Sequence, residues 1–71
     1  MDTNVVVKYS EGEEYIIYAG SKHIKDLQKM IKYQTKQDIL EWNYRIEVWN
    51  HGERINTLYY NSSNRKFQNT N

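Results

Sequence analysis

The sequence predicts an α+β domain in which one amphipathic helix packs on an antiparallel sheet built from two β-hairpins, in the chain order ββαββ. Three observations carry this. Two β-branched and aromatic runs, Asn4 to Tyr9 and Glu14 to Ala19, flank Glu11 and Gly12 as the arms of a hairpin flank its turn. Ile24, Leu27 and Ile31 then recur at the spacing of one helical stripe, with Met30 beside it. Beyond them Leu40, Trp42, Tyr44, Ile46 and Val48 alternate with Glu41, Asn43, Arg45, Glu47 and Trp49, the period of a strand with one apolar face.

In the first hairpin, a two-residue loop of Glu11 and Gly12 places Val7 opposite Ile16 and Val5 opposite Tyr18. This gathers Val5, Val7, Tyr9, Ile16 and Tyr18 on one face and leaves Val6, Lys8, Tyr15 and Ile17 on the other. Gly20 and Ser21 interrupt the pattern, and Ser21 suits an N-cap, so the helix is expected to begin there. Its end falls between Thr35 and Glu41, because no Gly or Pro marks it. The long strand follows from Ile39. His51 and Gly52 form the second turn, and Arg54 to Tyr60 return. Parity pairs Val48 with Ile55, Ile46 with Thr57 and Tyr44 with Tyr59, since a three-residue loop would set Arg54 beside the core face. Residues 1–60 thus form a single α+β domain, and residues 61–71, polar apart from Phe67, read as a flexible tail. An arrangement with the two hairpins in separate sheets is the alternative architecture.

A chain of 71 residues builds one thin core. With no cysteine, neither a disulfide nor a cysteine-rich zinc site can reinforce it, and we expect no metal and no cofactor. Self-association is the support that remains, so a homo-oligomer is expected. The apolar runs are too short to cross a membrane, and the N-terminus lacks the layout of a signal peptide, which places the expected compartment in the cytoplasm. Ile, Lys, Asn and Tyr have AT-rich codons, which fits a short protein of a low-GC bacterium, phage or plasmid.

Ten Lys and Arg against nine Asp and Glu give a net charge of +1, too little for long-range steering toward a polyanion. No pair of carboxylates has a spacing suited to acid–base catalysis, and Ser21 and His23 point apart at a helix start, so the expectation is a protein without enzymatic activity. Seven Tyr and two Trp exceed what so small a core can bury. In the parity register, Trp49, Arg54, Arg45, Leu58 and Tyr60 share the face away from the helix, joined by Tyr15 and Ile17 of the first hairpin. Trp, Tyr and Arg are the residue types that concentrate binding energy, and this face is expected to dock a host protein, with Trp49 and Arg54 alternatively forming only a cross-strand cation–π pair. A nucleic-acid partner is a second reading, from Lys22, Lys25, Lys29 and Lys32 on the helix and Arg65 and Lys66 in the tail. A third is an oligomeric sponge for a nucleotide-like anion held at Ser21, Lys22 and His23.

Overall fold

The computed structural model describes residues 2–70 of the chain. It holds five strands and one helix: β1 (Thr3–Ser10), β2 (Glu13–Gly20), α1 (Ile24–Gln37), β3 (Asn43–Asn50), β4 (Glu53–Asn61) and β5 (Lys66–Thr70). The strands form one sheet in the order β2-β1-β3-β4-β5, antiparallel throughout. The α+β class and the helix over a single sheet are as the sequence implies. The fifth strand is not.

Both turns are the expected two-residue loops, Glu11–Gly12 between Ser10 and Glu13 and His51–Gly52 between Asn50 and Glu53. His51 and Gly52 both have positive φ, +50° and +78°, the backbone that matches the right-handed twist of the strands they join. Beyond each turn the register departs from the sequence-based pairing, because each hairpin contains a bulge. In the second, Trp49 pairs with Arg54, but Val48 pairs with Asn56, leaving Ile55 as the extra residue. The shift puts Leu58 opposite Ile46 and Tyr60 opposite Tyr44, so Leu58 and Tyr60 face the helix and Thr57 and Tyr59 do not. A straight ladder would have offered Thr57 and Tyr59 to the core. Leu58 packs partly buried against the core where the straight ladder would have set a threonine, and Tyr60 is buried with ring contacts to Tyr44 and Phe67, an apolar gain that offsets the disrupted ladder. Leu58 and Tyr60 therefore leave the proposed outer surface.

The first hairpin repeats the device. Val7 pairs with Ile16 as expected, but Val6 pairs with Tyr18 and Val5 with Ala19, leaving Ile17 as the extra residue. Val6 and Tyr18 thereby share the helix-facing side, whereas the straight register had put Val6 on the opposite side from Tyr18. Tyr15 also sits on the helix-facing side, pairing with Lys8 and meeting Trp42 edge-on at 5.9 Å between ring centroids.

The core consists of Val6, Tyr44, Ile46 and Tyr60 from the sheet and Leu27 and Ile31 from α1, flanked by Ile24, Met30, Trp42 and Phe67. The helix starts later than expected. Its N-cap is His23, not Ser21, and His23 makes no side-chain capping bond. The reason lies in the connection: Asn4 Nδ2 donates to Lys22 O at 2.7 Å and the Lys22 amide donates to the Tyr18 hydroxyl at 2.9 Å, which holds residues 20–22 against the sheet in a non-helical path. The helix ends at Gln37, and β3 begins at Asn43 instead of Ile39. Ile39 and Leu40 lie in the connection, exposed.

The expected polar tail is replaced by β5, which pairs Phe67 with Tyr60 and Lys66 with Asn61. Arg65, with φ +56°, donates its amide to Asn61 O at 2.7 Å and closes the turn that sends the chain back. One aromatic anchor suffices because Phe67 lies 4.7 Å from the Tyr60 ring. Only Asn71 of the expected tail's far end lies outside the described residues.

Candidate functional site: the uncovered sheet face

With the helix on one side of the sheet, the other side is open. Alternation within β1, β3 and β4 sends Val5, Val7, Tyr9, Arg45, Glu47, Trp49, Thr57 and Tyr59 to that side. Val7, Glu47 and Thr57 are buried even so, at 2%, 7% and 5% exposure. Since no secondary-structure layer among the described residues lies above them, the cover comes from the longer side chains of the face itself.

Its centre is an ion network. Arg45 Nε donates to Glu47 Oε2 at 2.7 Å, Arg45 Nη2 bonds Glu14 Oε1, and Arg54 Nη1 stands 3.7 Å from the same Glu47 oxygen. Trp49 Nε1 donates to the other Glu47 oxygen at 3.0 Å. Burial pushes the Glu47 carboxyl up, but the hydrogen bonds from Arg45 and Trp49 and the nearby guanidinium charges outweigh it and hold the group below the usual carboxylate range. For Arg45 burial works against the charge, and the bonds to Glu47 and Glu14 prevail, raising its already high pKa. The Arg45 guanidinium also sits 5.4 Å from the centre of the Tyr9 ring. Burial, moderated by Arg45, raises the Tyr9 pKa.

Of the residues the sequence nominated for this surface, the structure brings together Arg45, Trp49 and Arg54. Trp49 and Arg54 are the cross-strand neighbours expected, but they meet through the Glu47 carboxylate. The described cation–π contacts are made by Lys8, Lys22 and Arg45. Ile17 lies in the bulge at 37% exposure, while Leu58, Tyr60 and Tyr15 belong to the helix side. The residues missed are Glu47, Glu14, Tyr9, Tyr59 and Ile16. Glu47 was legible, since it stands two residues from both Arg45 and Trp49 and so on their face. Glu14 was not, because its approach to Arg45 depends on strand order; the pairing of Ile16 with Val7 was expected, but not that this pair faces away from the helix.

Around the network are Ile16 at 69%, Ile55 at 50% and Tyr59 at 37% exposure. Among the described residues, no group of three or more His, Cys, Asp or Glu converges on a metal position, and no helix is long and apolar enough to cross a membrane. Ser21, Lys22 and His23 lie elsewhere, at the rim of a cavity beside the start of α1.

Fold and face together define a small α+β domain with a one-sided five-stranded sheet. Comparison with protein-family models, curated proteins and solved structures returns no match.

Proposed function

We propose that the chain is a non-enzymatic interaction protein that docks another protein on the open face of its sheet and acts by occluding that partner's surface, in the manner of an inhibitor carried by a phage or mobile element. The observation that supports this is the state of Arg45. It is held by Glu47, Glu14 and the Tyr9 ring at the centre of the face, with Trp49 fixed by the same carboxylate, so the two side chains best suited to anchoring a partner are ordered before any partner arrives. Binding then forfeits little side-chain entropy. Ile16, Ile55 and Tyr59 supply the exposed apolar area around that centre.

The test is cross-linking capture from the natural host, comparing wild type with the exposed-face variants Ile16→Glu and Tyr59→Lys. A partner retained by wild type and lost by both variants, with unchanged circular dichroism, supports the reading. Equal capture by all three overturns the site. If wild type sediments as a dimer and the variants as monomers, the occupant is a second copy of the chain.

Nucleic-acid binding is a second reading, favoured by a feature of α1. Lys25, Lys29, Lys32 and Lys36 follow one another at i, i+4, i+7 and i+11 on its exposed side, a basic ridge roughly 16 Å long. None takes part in the ion pairs found among the described residues. Binding through this ridge requires an affinity for mixed-sequence duplex that falls steeply with salt and is lost in a Lys29→Glu, Lys36→Glu double variant.

A further inference from the structure

The sheet ends in two edges, β5 on one side and β2 on the other. The outer edge of such a strand carries backbone N–H and C=O groups that no neighbouring strand takes up, and its side chains decide whether another strand can add. β5 is short and polar, with Phe67 as its one apolar residue. β2 is eight residues long and holds Tyr15, Ile16, Ile17, Tyr18 and Ala19 in an unbroken run without a charge or a proline. Tyr15, Ile16 and Ile17 are all exposed.

The bulge at Ile17 is the irregular point of this edge, and a bulge ordinarily guards an edge against pairing. Here it sets a register. Glu13, Tyr15, Tyr18 and Gly20 lie on the helix side of the sheet, and Glu14, Ile16 and Ala19 lie on the open side. With Ile17 left out as the extra residue, the sides alternate from Glu13 to Gly20 in an order that reads the same in both directions. An antiparallel copy of the strand therefore matches it side for side along its whole length. Glu13 meets Gly20 of the second copy, Glu14 meets Ala19, Tyr15 meets Tyr18, and Ile16 meets the second Ile16. Moving the copy by one residue sets helix side against open side, and moving it by two leaves part of the strand unpaired.

The charges at the ends favour a second copy over an unrelated strand. Glu11 and Glu13 stand at the start of β2, and Lys22 stands just past its end, with the ammonium 5.5 Å from the centre of the Tyr18 ring. None of the three takes part in the ion pairs found among the described residues. In the full-length register Glu11 of each copy comes beside Lys22 of the other, so the complementary contact is made twice. Parallel addition would set acid beside acid.

We propose that two copies of the chain join edge to edge through antiparallel β2 strands, merging two five-stranded sheets into one continuous sheet. The twofold axis passes between the two Ile16 side chains. Both helices lie on one side of the merged sheet and both Arg45 networks on the other. Burial of the Tyr15 to Ala19 run and pairing of its free backbone groups supply the affinity, and the Glu11 and Lys22 contacts fix the register.

Sedimentation equilibrium of the full chain tests this, with circular dichroism to confirm folding of each variant. Wild type is expected to be a dimer at about ten micromolar. Ile17→Lys, which places a charge on the edge, should be a folded monomer. Glu11→Lys and Lys22→Glu, both at exposed positions, should each weaken the dimer by about threefold or more, and the variant carrying both changes should recover the wild-type strength. Tyr59→Lys, on β4 and away from this edge, should leave the dimer intact, which separates this contact from docking on the open face. A monomeric wild type would overturn the proposal, as would a dimer that survives Ile17→Lys or is lost in Tyr59→Lys. Single charge variants as strong as wild type, or no recovery when they are combined, would overturn the register. Slowed hydrogen exchange at β2 that appears only when another protein is added to a monomeric chain would give the edge to a foreign strand and overturn the second copy.

Discussion

The Tyr44 hydroxyl donates to the carboxylate of Asp38, the residue that caps the C-terminal end of α1, and so ties the end of the helix to the centre of the sheet. Asp38 would be poorly placed alone, because the negative end of the helix dipole disfavours a carboxylate there. Lys8 Nζ balances it at 2.9 Å from Oδ1. The Lys8 ammonium also lies 4.8 Å from the centre of the Trp42 ring, so helix end, β1 and the approach to β3 share one cluster.

Burial, then the bond to Asp38 and its charge, raise the Tyr44 pKa well above the usual phenol value. The native state therefore holds this proton more tightly than the unfolded chain. Its contribution is complete below about pH 10 and is lost as pH rises from there toward the native-state value. Tyr44→Phe is expected to cost about 1–2 kcal/mol at neutral pH and to flatten the alkaline fall in stability, measured by urea titration at about pH 8 and about pH 11.

Glu47 works in the opposite direction. Its lowered pKa means that the unfolded chain binds the proton more readily. The stabilisation is present above about pH 4.3 and is lost as pH falls through the native-state value. Glu47→Gln should cost about 1–3 kcal/mol near neutrality and shrink the acid-limb loss, read from denaturant midpoints across the acid range.

The bulge at Ile55 is tested by adjacent tyrosines. Tyr60, 2% exposed between Tyr44 and Phe67, should lose about 3–5 kcal/mol on replacement by Ala. Tyr59→Ala, on the open face, should cost less than about 1 kcal/mol. A straight ladder would reverse that order.

Phe67→Ala distinguishes a fifth strand from a loose tail. Packed on Tyr60, the ring should be worth about 2–4 kcal/mol, and hydrogen exchange at the β4 and β5 amides should quicken in the variant. A midpoint unchanged from wild type would show that the segment contributes nothing to the fold.

The sequence by itself determined the α+β class, both two-residue turns, the buried helix stripe of Leu27 and Ile31 and the alternation of β3, because these depend on local period and on turn chemistry. It also put Arg45, Trp49 and Arg54 on one side, since Arg45 and Trp49 alternate along β3, whose partner strand carries the extra residue, and Arg54 pairs with Trp49 on the turn side of the bulge. Only the tertiary structure decided that Leu58 and Tyr60 belong to the core. A bulge shifts the side-chain period by one residue, and its gain is measured by what lies across the sheet and under the helix, which no local pattern records. For the same reason the polar segment after Asn61 became a strand: Phe67 had a place to pack only once Tyr60 had turned inward.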